Sequence, residues 1–97
     1  MAVTSGTRLR VPRDVFAREF DGETVIVDLV RGDYFGLDAI GGLAWRGFAA
    51  GNIPAEVAEQ VHAEYDVSVP DALRDVVELA DSLVRRGLLE EVEEGGR

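Results

Sequence analysis

A chain of 97 residues, 46% of them hydrophobic, is sized for one domain around a single modest core. Its formal net charge of -9, with arginine as the only strong base, repels polyanions such as nucleic acid and favours cationic partners. The absence of cysteine excludes a disulfide framework and thiolate chemistry, and no apolar run approaches the roughly 20 residues that span a bilayer.

Arg8, Arg10, Arg13 and Arg18 make the start of the chain basic, and Met1 to Arg13 lacks the short apolar stretch of a secretory signal. Residues 1–14 are expected to be a flexible basic N-terminus, and the protein to be cytoplasmic with no membrane partner. From Val15 to Leu37, apolar-rich runs are separated by Asp21-Gly22 and by Arg31-Gly32-Asp33, where glycine supplies the positive φ of tight hairpin turns. This punctuation predicts a meander of three strands, at Val15 to Phe20, Glu23 to Val30 and Tyr34 to Leu37. Alternation in the middle strand puts Val25, Val27 and Leu29 on one face and Ile26, Asp28 and Val30 on the other, with Asp28 marking the second face as partly wet.

After Asp38 the apolar spacing becomes helical. Asp38 is a natural N-cap for a first helix carrying Ile40, Leu43, Ala44 and Phe48, which Gly51-Asn52 ends. A second helix is predicted from Pro54 to Tyr65, with proline in its first turn and Val57, Ala58, Val61 and Tyr65 at intervals of three and four. The third runs from Pro70 to Arg86, opened by Ser68 with Asp71 three residues on and closed by Arg85-Arg86 before Gly87. Glu90, Glu91, Glu93 and Glu94 then make residues 90–97 an acidic tail, expected to be flexible. Three strands followed by three helices define an α+β domain over residues 15–89. The last two helices have helix-turn-helix proportions, so the outline is winged-helix-like, with its three-stranded antiparallel sheet at the N-terminal side.

The residues that carry chemistry are few. His62 is the only histidine and stands among Glu59, Gln60 and Glu64, so it takes no catalytic role. Ser5, Ser68 and Ser82 lack a Gly-flanked elbow and a nearby histidine. The carboxylates lack the spacing of a calcium loop, and Gly36, Gly41 and Gly42 form no phosphate-binding motif. No enzyme activity, catalytic residue, metal or cofactor is expected. The alternative that a winged-helix outline raises is a DNA-binding transcription regulator. Its reading helix should be basic, yet the third helix carries Asp71, Asp75, Glu78 and Asp81 against Arg74, Arg85 and Arg86.

The run Asp28-Leu29-Val30-Arg31-Gly32-Asp33-Tyr34-Phe35-Gly36-Leu37-Asp38, then Gly41 and Trp45, then Glu64-Tyr65-Asp66-Val67, Asp75-Val76, Leu79, Leu83 and Gly87-Leu88-Leu89, resembles the PqqD-type recognition elements of peptide natural-product pathways. The resemblance covers about residues 15 to 89 and is closest to the stand-alone leader-binding protein of lasso-peptide biosynthesis. It implies a non-catalytic module that binds the leader of a ribosomally made precursor peptide and presents it to a separate leader peptidase or modifying enzyme. In that mode the leader adds as a strand to the third strand of the meander, in a groove walled by the third helix. The residues implied at the site are Val30, Asp33, Tyr34, Phe35, Gly36 and Leu37 along the edge, with Leu73, Val77, Ala80, Asp81 and Val84 on the helix. From the residues alone, a meander's third strand keeps an unpaired outer edge. Beside the core stripe Ala72, Val76, Leu79 and Leu83, the flank Leu73, Val77 and Val84 reads equally as extra core or as the wall of a groove. Trp45, Phe48, Leu37 and Tyr65 read as core.

Overall fold

The computed structural model describes residues 3–92. Its elements run β1 (Leu9–Arg10), β2 (Val15–Phe20), β3 (Glu23–Asp28), β4 (Tyr34–Leu37), α1 (Ala39–Ala49), α2 (Pro54–Glu64), α3 (Val69–Arg85) and β5 (Glu90–Glu91). The meander is the antiparallel sheet β2-β3-β4, so the third strand of the sequence reading is β4. Asp21 and Gly22 both take positive φ, 50° and 82°, the geometry that lets a two-residue turn follow the right-handed twist of β2 and β3. Helix starts follow the caps: Asp38 accepts from the Gly41 amide and Ser68 from the Asp71 amide. At the start of α3, the Arg74 side-chain hydrogen bond, then that of Ser68, hold the Asp71 carboxyl below its ordinary range. No described helix is long and apolar enough to cross a membrane.

The helices cover one face of the sheet. In β3 that face is Thr24, Ile26 and Asp28, all buried, while Val25 and Val27 are half-buried on the other. The expectation of a partly wet face at Asp28 is therefore reversed. Asp28 is a buried turn anchor, its carboxylate accepting the Val30 and Arg31 amides at 3.0 and 3.2 Å. α1 lies close on this face because it presents glycine: a Cβ on Gly42 would stand 2.5 Å from Thr24 Oγ1. Phe48, Ile26, Val57, Val61, Leu83, Leu88 and Leu89 form the centre of one core shared by the sheet and all three helices.

The chain ends depart from the expectation of free tails. Val3 and Leu9 are buried, β1 pairs antiparallel with β5, and Arg10 Nε donates to Glu90 at 2.6 Å. The Val3 amide donates to Asp81 Oδ1 (3.3 Å), and the Ser5 carbonyl accepts from Ala55 (3.0 Å). The basic start and the acidic end are thus partners, a contact across the whole length of the chain that local charge patterning does not reveal. Of the expected acidic tail, residues 93–97 lie outside the described residues, as do residues 1–2.

Candidate functional site

The site begins with the register of β4. The Asp28 amide donates to the Asp33 carbonyl (2.9 Å), and in the same register Ile26 faces Phe35 and Thr24 faces Leu37. Hydrogen-bonded pairs alternate along an antiparallel ladder, so Phe35 and Leu37 aim their N–H and C=O groups at β3. Tyr34 and Gly36 aim theirs the other way, at an edge on which no strand lies among the described residues. Side chains alternate too: Phe35 and Leu37 share the helix face with Ile26, and Tyr34 stands on the opposite face, 77% exposed.

Beside this edge, on the helix face, a cleft of about 400 Å³ opens between β4, α1 and α3. This lies within the range of ligand-sized pockets. Its floor is apolar: Leu37, Ala44, Val61, Val67, Ala72 and Val76, with Ile40 and Leu79 as opposing rims. Two carboxylates line it, Asp38 where β4 passes into α1 and Asp75 on α3. At the other mouth the Arg86 guanidinium stacks over the Phe35 ring, 4.7 Å from its centroid. His62 takes a structural part, its Nδ1–H donating to the Val67 carbonyl (2.8 Å) and tying the α2–α3 turn beside the cleft. Among the described residues no group of three histidine or carboxylate side chains is placed to hold a metal.

The structure brings the predicted strand residues together. Phe35, Gly36 and Leu37 line the cleft, and Tyr34 supplies the edge. Val30, 73% exposed, and Asp33, 3.6 Å from Arg31, lie in the β3–β4 turn and stand off from the cleft. The predicted helix residues are placed elsewhere. Ala80 is fully buried, Leu73, Val77 and Val84 are half-buried against the core, and Asp81 holds the Val3 amide and Arg85. At 100° per residue Leu73, Val77, Asp81 and Val84 lie on one side of the buried stripe Ala72, Val76, Ala80 and Leu83, whereas Asp75, Leu79 and Arg86 lie on the other. β4 runs past the second side; at Asp81 the first side meets the N-terminal segment. The helical wall of the cleft is therefore Ala72, Asp75, Val76 and Leu79, with Arg86 beyond. Leu79, counted with the core, and Ile40 are rim residues that the apolar pattern alone does not separate from core.

A free strand edge next to an apolar cleft is the arrangement used by domains that take up extended peptides. Residues 23–89 match the model of the family described as coenzyme PQQ synthesis protein D (PqqD), and the chain belongs to that family. Two solved structures are similar. One, TbiB1 in complex with the TbiA(beta) leader peptide, is 33% identical, with a TM-score of 0.79 over 88% of this chain and 99% of that one. The other, a lasso peptide synthetase B1 complexed with the leader peptide, is 30% identical, with a TM-score of 0.76 over 84% and 95%. No curated protein matches the chain significantly.

Proposed function

We propose that this protein binds the leader segment of a ribosomally synthesised precursor peptide, of the lasso-peptide type, as a strand added to the outer edge of β4. It then presents the precursor to a separate leader peptidase or modifying enzyme and performs no chemistry itself. The observation that carries this reading is the register that turns the Tyr34 and Gly36 backbone groups outward beside the cleft. Family membership and two similar chains described with leader peptides support the ligand class. In this reading Tyr34 and Gly36 bond the leader's backbone, and Phe35, Leu37, Ile40, Val76 and Leu79 receive every second side chain. Val30 and Asp33 lie at the end of the edge, where the leader leaves the sheet. The reading takes the cytoplasm, where precursors are made, as its compartment. Two of the arginines around α3 pair with Asp71 and Asp81, and Asp75 and Glu78 stand on the same helix, so a DNA-reading face there would be of mixed charge.

Proline tests the edge, because it removes one backbone donor. Tyr34→Pro deletes an outward N–H and leaves the ladder to β3 whole. It is expected to fold and to weaken leader binding about tenfold, the worth of one hydrogen bond of roughly 1.4 kcal/mol. Phe35→Pro deletes a donor to β3 and is expected to lower the melting temperature instead. Calorimetric titration with a lasso-peptide leader that the wild-type chain binds reads the difference, and a folded Tyr34→Pro protein with undiminished affinity overturns strand addition here.

A further inference from the structure

The cleft is electrically asymmetric. Of the arginines near the end of α3, Arg74 pairs with Asp71 and Arg85 with Asp81. The Arg86 guanidinium, among the described residues, meets only the Phe35 ring. Stacking on the ring face leaves the edge of the guanidinium, where its five N–H donors lie, open to a ligand. Arg31 Nη1 donates to the Arg86 carbonyl (3.3 Å). It counters the partial negative charge at the end of α3, while its Nε pairs with Asp33 (3.6 Å), so Arg86 is the cation left without a carboxylate at this mouth among the described residues. The other end carries Asp38 and Asp75. The Asp38 carboxylate caps α1, and Asp75 has no cationic partner among the described residues.

We infer that this polarity makes the cleft selective for an acidic residue of the bound peptide, whose carboxylate Arg86 holds at the Phe35 end. The inference rests on the strand-addition reading and adds to it a charge, a position and a direction. Ten residues separate Val76, in the apolar floor, from Arg86. At ~1.5 Å per residue that is roughly 15 Å along the helix, which an extended chain covers in four to five residues at ~3.3 Å each. A fourth strand that continues the antiparallel order runs from the Leu37 end to the Tyr34 end. The acidic residue therefore follows, by four positions, the apolar residue seated over Val76, the even offset that keeps both side chains on the helix face. Threaded in reverse, the same peptide would bring its carboxylate against Asp38 and Asp75, where like charges repel.

A phage-displayed library of random dodecapeptides, panned on the full chain, supplies the probe. The best binder is synthesised with a fluorophore and followed by anisotropy against the wild type, Arg86→Ala, Arg86→Lys and Arg86→Glu, each checked for folding by circular dichroism. The expected consensus pairs an apolar residue with Asp or Glu four positions after it. Changing that acid to its amide should weaken binding about tenfold on the wild type and less than about twofold on Arg86→Ala. Arg86→Lys should retain part of the preference, because it keeps the charge and loses the fork. Arg86→Glu should regain affinity for the peptide that carries Lys at that position. Peptides that depend on the β4 edge, shown by loss with Tyr34→Pro, yet lose nothing when the acid is neutralised, overturn this inference and leave strand addition standing. Failure to enrich any peptide, or enrichment of peptides indifferent to Tyr34→Pro, overturns the reading beneath it and the inference together.

Discussion

Gly42 and Gly47 show how single positions set the site. A Cβ on Gly42 would stand 2.5 Å from Thr24 Oγ1, and one on Gly47 would stand 2.8 Å from Val57 Cγ2. These two glycines let α1 settle on β3 and α2 at once, and that closeness holds the Ile40 rim near β4. Thr24 is itself buried and β-branched, so its hydroxyl has little room to swing away. Gly42→Ala gains about 1 kcal/mol of helix propensity, but the overpacking costs roughly 1 to 3 kcal/mol. The net effect expected is a loss of about 1 kcal/mol and a melting temperature lower by ~4 to 8 °C in a domain of this size. A thermal melt of Gly42→Ala that matches or exceeds the wild type would show that α1 does not rest on Thr24 as described.

At the scale of elements, the two flanks of α3 make opposite demands. Leu79 and Val77 are both half-buried against the core, but Leu79 also lines the cleft, whereas Val77 lies on the other side of the buried stripe. Leu79→Glu is therefore expected to keep its fold and weaken leader binding by roughly ten- to a hundredfold, the worth of ~1.5 to 3 kcal/mol of apolar burial. Val77→Glu is expected to lower the melting temperature and to change affinity only through the unfolded fraction. Paired melts and titrations decide, and the reversed pattern would return the binding face to the Leu73, Val77 and Val84 side. The elements themselves were legible because their signals are local: Asp21-Gly22 for the hairpin, Asp38 and Ser68 as caps, Gly51 and Gly87 as stops, the glycines with positive φ. The edge of β4 was legible too, since strand order follows from hairpin connections. The flank was not, because a wide apolar arc on a helix reports that something covers it without saying what. Part of that cover is the segment around Val3, and β1 with β5 joins residues 9 and 91, a pairing no local pattern encodes.

Among the described residues, the three-stranded sheet carries helices on one face and none on the other. That open face carries Phe16 and Phe20, 53% and 57% exposed, beside the charged Arg18 and Glu23, and Phe16, Val27 and Tyr34 stand in one row across the three strands. Isolated exposed apolar residues need no explanation, but a row of them is the kind of surface on which the proposed partner enzyme would dock. A leader added to β4 would direct every second side chain onto this face, next to Tyr34, so module and leader together would form one larger docking surface for the processing enzyme. A partner that reads both binds the complex better than the free module, and by linkage it tightens the leader in turn. Phe16 lies on β2, two strands away from the leader edge, which separates the two events experimentally. Phe16→Glu is expected to leave leader affinity and the melting temperature unchanged while slowing processing of the precursor by the partner enzyme roughly tenfold or more, the loss of one buried aromatic contact worth ~1.5 to 3 kcal/mol. The measurement is a time course by mass spectrometry with precursor and partner present, run beside a leader titration of the same variant. If processing keeps its wild-type rate while the leader still binds, the open face is ordinary surface, and the hand-over must run through the leader alone.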